Sequence, residues 1–277
     1  MPTQLTLSRR HAAGATSARG LLFTVLGEFV LPGGGSAWTS ALIDVFGRLG
    51  IEEKATRQAL MRTASDGWLN AHRVGRRTRW QLSPAAERLL VDGTRRIFGF
   101  VGRAESWDGR WLLVLARAPE TERATRHLLR TRLAWAGLGS PAPGVWIGPH
   151  VDRLREVERV LAQAEMSGEA QVFVAEHQGR ADVRAMVAQA WDLDVIEAEY
   201  EAFLADFAER STDDPLTATV ELVHAWRRFP WIDPALPQIL LPRRWSGSRA
   251  AELFRRRHAE WVGTARAEWS ELNEMAA

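Results

Sequence analysis

Hydrophobic and polar positions alternate with helical period through most of the first hundred residues. In residues 17–30, Leu21, Leu22, Val25, Leu26 and Phe29 fall at i, i+1, i+4, i+5 and i+8, which predicts a helix with one buried face. Ser17 stands where an N-cap belongs. Pro32 and the run Gly33-Gly34-Gly35 break this helix, and a second is predicted over residues 37–49, burying Trp38, Leu42, Val45, Phe46 and Leu49 and stopped by Gly50. A third helix over residues 52–66 lines Ala55, Thr56, Ala59, Leu60 and Thr63 along one face. Gly67 closes it. Two extended runs, residues 68–73 and 79–82, flank a basic tip and predict a hairpin. Ser83-Pro84 then opens a further helix through Leu89, Leu90 and Val91.

The pattern changes downstream. Residues 111–116, 144–148 and 170–175 read as strands, with helices over 120–135 and 151–164 between them, the alternation of a small α+β layer. From residue 183 onward the chain reads as helices over 183–191, 195–209, 216–229 and 249–272, interrupted by a proline-rich stretch at 230–242. Tyr200, Phe203, Leu204 and Phe207 recur at helical spacing and are expected in a core. The expected class is α+β in three segments: residues 17–97, 105–180 and 181–277.

Charge gives the first segment a partner. The formal net charge is +2, but the first hundred residues carry fourteen Lys and Arg against seven Asp and Glu, and the remainder twenty-two against twenty-seven. A basic segment joined to an acidic one points to a polyanion-binding domain attached to something else. Lys54, Arg57, Gln58, Met61 and Arg62 project together from the polar face of the third helix. Arginine and glutamine match guanine and adenine edges in the major groove. Arg73, Arg76, Arg77 and Arg79 cluster in the hairpin, where phosphate contacts are expected. Three helices followed by a hairpin is the order of a winged helix-turn-helix, so double-stranded DNA is the expected partner. One such module touches too few base pairs to be specific in a genome, so a homodimer on an inverted repeat is expected.

Other chemistries find little support. There is no cysteine, hence no disulfide and no thiolate metal site. The seven histidines show no ligand spacing, and no Walker, G-x-G-x-x-G or G-x-S-x-G pattern occurs, so no metal, cofactor or enzymatic activity is expected. No uncharged apolar stretch of about 18 residues is present, so no spanning helix is expected. Ser8-Arg9-Arg10 precedes an apolar run that comes late and contains Glu28, which argues against an export signal and for a cytoplasmic location.

Several motifs, taken in order, carry a resemblance. They are residues 22–31 (LFTVLGEFVL), 50–62 (GIEEKATRQALMR), Gly67-Trp68-Leu69 with Gly75-Arg76-Arg77, Trp107-Asp108-Gly109-Arg110-Trp111, residues 132–149 (RLAWAGLGSPAPGVWIGP), Leu240-Leu241-Pro242 and Trp245-Ser246-Gly247. On these residues the chain resembles the PaaX family of repressors. The resemblance implies a winged helix, a central ferredoxin-like domain similar to Cas2 and a C-terminal helical domain. It also implies repression of a phenylacetate-type catabolic operon, relieved by an aryl- or acyl-coenzyme A thioester. Trp107, Arg110 and Trp111 are the candidate effector contacts, and the many tryptophans beyond the DNA module offer surface for an apolar ligand pocket or a dimer interface. Two departures stand out: members often have Ser or Thr where this chain has Glu52, and a larger apolar residue where it has Thr63. A competing reading is a metal-dependent nucleic-acid-processing enzyme on the Cas2-like domain. That chemistry needs an acid at the end of the first strand, where Ala116-Arg117-Ala118 stands, and Asp108 is expected to pair with Arg110.

Overall fold

The computed structural model describes residues 17–100, 107–119, 121–178 and 182–277. In chain order the elements are α1 (Ala18–Val25), β1 (Ser36–Trp38), α2 (Thr39–Arg48), α3 (Glu53–Ser65), β2 (Leu69–Val74), β3 (Arg77–Leu82), α4 (Pro84–Gly99), β4 (Arg110–Leu115), α5 (Arg123–Trp135), β5 (Gly139–Ala142), β6 (Val145–Gly148), α6 (Leu154–Gln163), β7 (Gln171–Glu176), α7 (Val183–Ala190), α8 (Leu193–Phe207), α9 (Pro215–Trp226), α10 (Phe229–Ile232) and α11 (Gly247–Met275). The described residues up to 100, with Phe203–Arg228 and Arg249–Ala277, form one compact unit; those of 102–202, with Phe229–Ser248, form the other. The stretch 181–277, a single segment by sequence, is thus divided between the two. Ser8-Arg9-Arg10 and Glu120, where the sequence starts the fifth helix, lie outside the described residues. Among the described residues no helix is long and apolar enough to cross a membrane.

In the first unit, Ser17 caps α1, its Oγ accepting from Gly20 N at 3.0 Å. The helix continues as a π-turn over Leu26–Val30, with Leu31 N reaching Leu26 O. This segment buries Glu28, which accepts from Arg266 at 2.8 Å and faces His258 at 3.0 Å. A buried carboxylate is tolerable because it is paired. The second helix begins at Thr39, two residues later than the sequence predicts, because residues 36–38 form β1 against β3, with Trp38 opposite Arg79. The hairpin β2–β3 completes a sheet of order β1-β3-β2. Leu22, Leu26, Leu42, Phe46, Leu60 and Trp80 are buried in one core that also takes Leu216 and Val220 of α9 and Trp269 of α11. The C-terminal helices are therefore part of the N-terminal fold. Thr24 Oγ1 meets His224 Nδ1 at 3.0 Å, Arg227 donates to Gly20 O at 2.9 Å, and Asn273 Oδ1 accepts from Trp38 N at 2.9 Å. Behind them Trp226 stacks on Phe254 at 4.8 Å.

In the second unit, the order β4-α5-β5-β6-α6-β7 forms a four-stranded antiparallel sheet, β5-β6-β4-β7. This is the split β-α-β arrangement of a ferredoxin-like domain. The three strands read from sequence are present within a residue or so at each end; β5 was not foreseen. Leu112, Val114 and Trp146 from the sheet meet Leu129 and Leu133 of α5 and Val157 and Leu161 of α6 in the core. Around α8 and α10, Tyr200 stacks on Phe229 at 4.2 Å and donates to Asp233 at 2.6 Å.

Candidate nucleic-acid interface

The third helix owes its exposed face to its buried one. Thr56, Ala59, Leu60 and Thr63 are enclosed, so helical geometry turns Lys54, Arg57, Gln58, Met61 and Arg62 outward together. Met61, 62% exposed, stands among these polar side chains on the outward face. Arg57 is held to Glu53 at 2.7 Å, one helical turn back, with both side chains half exposed. Glu52 occupies the N-cap without making a side-chain cap bond.

The hairpin supplies the other four basic residues, and the structure treats them differently. Arg76 sits at the tip, exposed and in no ion pair among the described residues. Arg73 closes the tip by donating to Gly75 O at 3.3 Å, where Gly75 adopts a left-handed φ of 59°. Arg77 donates to the backbone carbonyls of Ala276 and Ala277. Arg79 is turned back onto β1, donating to Ser36 Oγ at 2.9 Å with its guanidinium 5.9 Å from the Trp38 ring. The strand that the hydrophobic pattern did not reveal thus holds one of the predicted phosphate ligands.

Helix and wing converge. Arg57, Arg76 and Arg77 line one shallow depression of about 450 Å³ with Thr39 and Ser40 of the first turn of α2 and with two carboxylates, Asp44, which pairs with Arg48, and Glu53, which pairs with Arg57. The sequence did not mark Thr39 or Ser40. Thr39 Oγ1 ties α2 to the wing, donating to Thr78 O at 3.0 Å and accepting from Trp80 Nε1 at 2.9 Å. Three guanidinium groups against two carboxylates leave a small net positive charge beside a helix N-terminus, where a phosphate oxygen can be received.

Trp107, Arg110 and Trp111 lie in the second unit. The rings of Trp107 and Trp111 meet edge to face at 4.9 Å, and Trp107 Nε1 donates to Arg110 O at 2.9 Å. Arg110 Nε binds Asp108 Oδ2 at 2.6 Å, the pairing the sequence predicts. Hydrogen bonds from the Arg110 backbone N–H and side chain hold the Asp108 carboxyl below its ordinary pKa. Among the described residues, no three His, Asp or Glu side chains gather as a metal site.

Comparison with known proteins covers nearly the whole chain. Family models described as PaaX-like protein, PaaX protein central Cas2-like domain and PaaX-like protein C-terminal domain match residues 17–86, 104–187 and 191–271. Transcriptional repressor PaaX of Escherichia coli (strain K12) is 32% identical over 262 residues, covering 88% of this chain and 81% of the relative. The solved structure of uncharacterized protein Rv0674 from Mycobacterium tuberculosis superposes with a TM-score of 0.64 at 24% identity, over 92% of this chain and 100% of that one, a likeness of fold. The matches follow one another in the order of the segments from which the fold is built, and the chain belongs to the PaaX-like family.

Proposed function

We propose that this chain is a transcriptional repressor that binds a double-stranded operator as a homodimer, with α3 in the major groove and the β2–β3 wing on the backbone. The observation that carries the reading is that α3 turns Lys54, Arg57, Gln58, Met61 and Arg62 outward together while Arg57 meets the wing's Arg76 and Arg77 around one depression. The E. coli relative's designation as a transcriptional repressor supports it. Arg57 and Gln58 read base edges, Met61 meets thymine methyl groups, and Lys54, Arg62, Arg73, Arg76, Arg77 and Arg79 neutralise phosphates. Arg77 and Arg79 do so from geometries already braced within the unit. The regulated genes are those of a phenylacetate-type catabolic operon, and an aryl- or acyl-coenzyme A thioester releases the operator. Trp107, Arg110 and Trp111 are one candidate place for the effector contacts, and the arginine-lined cleft of the same unit, which they do not line, is the alternative.

The test is a fluorescence-anisotropy titration of the purified protein against duplexes tiled across the DNA upstream of its own and neighbouring genes. Binding to one tile at least about 10³-fold tighter than to the rest is expected of a specific regulator. Uniform binding to every tile overturns the reading in favour of an architectural DNA binder. Adding coenzyme A thioesters to the preformed complex tests the effector, since a typical coupling weakens DNA binding by about 5- to 150-fold. Cleavage of the duplex on addition of Mg²⁺ or Mn²⁺ supports the processing enzyme instead.

A further inference from the structure

We propose that a cleft in the second unit, lined by Arg117, Arg123, Arg126, Arg130, Trp146 and Trp191, binds an organic phosphate that carries an apolar or planar group. For the ligand's class the proposal rests on the effector reading above; the location comes from the cleft itself. The cleft encloses about 1370 Å³. Sites for drug-sized ligands occupy about 300–1,000 Å³, so the space suits a large molecule.

Its two walls differ in chemistry. On α5, Arg123, Arg126, His127 and Arg130 recur at i, i+3, i+4 and i+7, the outward stripe opposite the buried Leu129 and Leu133. Arg117, just beyond β4, joins them. It lies close against Gly144, where an added Cβ would stand 3.0 Å from the Arg117 Cβ. None of these arginines makes an ion pair among the described residues. Some arginines elsewhere in the chain find carboxylates, as Arg48 does with Asp44 at 2.9 Å and Arg266 with Glu28 at 2.8 Å, while others, such as Arg62 and Arg76, stand exposed like these four. The one acidic residue of the lining, Asp192, accepts from Val195 N at 3.3 Å. Four guanidinium groups against the single carboxylate of Asp192 leave this lining net positive, and the planar fork of arginine suits phosphate oxygens.

The facing wall is apolar, with Trp191, Ile232 and the exposed Val195. Trp191 is placed by design of the backbone: a Cβ on Gly139 would stand 2.5 Å from its ring, so only glycine lets the indole lie on β5. Trp146, from β6, is 9% exposed, and its indole N–H is buried with no hydrogen-bond partner among the described residues. A charged head on the arginine wall and an apolar body against the tryptophans satisfy both sides at once.

Isothermal titration calorimetry with coenzyme A, an aryl-coenzyme A thioester and inorganic pyrophosphate tests the assignment. The Arg126→Ala/Arg130→Ala double variant and Trp191→Ala serve as probes, with thermal melts verifying that each is folded. Both arginines are exposed, so the double variant is expected to fold like the parent. It should bind the thioester about a hundredfold more weakly, roughly tenfold for each charge-assisted hydrogen bond removed, while its affinity for the upstream duplex stays within twofold. Trp191→Ala should weaken the thioester and leave pyrophosphate unchanged. An unchanged thioester affinity in the double variant overturns the location while the effector reading stands. A parent protein that binds neither coenzyme A nor thioester sinks both. Pyrophosphate binding as tightly as the thioester overturns the two-walled ligand, and loss of duplex affinity in the double variant makes the arginine wall a second DNA surface.

Discussion

Thr63 lies on the buried face of α3 with its hydroxyl enclosed and, among the described residues, without a hydrogen-bond partner. An unsatisfied buried polar group costs about 1–3 kcal/mol, and valine has the same shape without the hydroxyl. Thr63→Val is expected to raise stability by about 1 kcal/mol, a gain of roughly 2–4 °C in Tm for a domain of this size, read by thermal melting with DNA affinity unchanged. A lower Tm would mean that the hydroxyl has a partner, such as a bound water. His224 carries the opposite lesson. Burial, with Arg227 and Arg228 nearby, pushes its pKa down to about 4. Thr24 Oγ1 accepts from Arg227 Nη1 at 3.1 Å and lies 3.0 Å from His224 Nδ1 and 3.4 Å from Gly20 O, so the neutral ring has a partner in either tautomer. The unfolded chain protonates this ring near pH 6.5 and the folded chain only near 4. Stability from the neutral ring is therefore complete above about pH 6.5 and lost as pH falls toward 4, on the order of 3 kcal/mol in full. Urea midpoints at pH 7 and pH 5 should show the loss, and His224→Asn should reduce it; an equal loss in the variant would assign it to other groups.

At the scale of elements, α3 and the wing make separable contributions. Arg57→Ala should weaken operator binding by about 1–3 kcal/mol and relax discrimination at one or two base pairs, because a bidentate base contact is lost. Arg76→Ala should weaken all duplexes alike and lower the salt slope by about one. Titrations at several salt concentrations compare the two, and a uniform loss for Arg57→Ala would make it a phosphate contact. These elements were legible because amphipathic periodicity and turn chemistry are local: Ser17, Ser83 and Gly75 do what their residue types imply. The strand β1 was not legible. Three residues between a glycine run and a helix have no period, and they become a strand only because β3, some forty residues later, offers a free edge. The π-turn at Leu26–Val30 leaves no sequence mark either, yet it helps bury Glu28 among apolar neighbours.

At the scale of the whole molecule, the expected assembly is a symmetric dimer. In the second unit β7 pairs, among the described residues, with β4 alone, and Phe173 and Val174 on this edge are 45% and 48% exposed. An open edge with exposed apolar side chains is a template for another strand unless it is covered. Light scattering should return twice the 31.0 kDa chain mass, and Phe173→Lys should shift the equilibrium toward monomer and weaken operator binding. A monomer whose footprint spans a single half-site would defeat the dimer.

The sequence by itself determined which helices are amphipathic, where they are capped, which charges the third helix turns outward and where the basic hairpin lies. These follow from interactions within a few residues. Tertiary structure alone decided what each apolar stripe is buried against. The Leu216 and Val220 stripe of α9 and Trp269 of α11 join the core of α1 and α2, making helices from the far end of the chain part of the first unit. The cleft between the α5 arginines and Trp191 likewise exists only because residues 117–146 and 190–196 meet in space. A hydrophobic period states that one face must leave water, but the partner is chosen by shape and by hydrogen bonds such as Arg227 to Gly20 O, across some two hundred residues of chain.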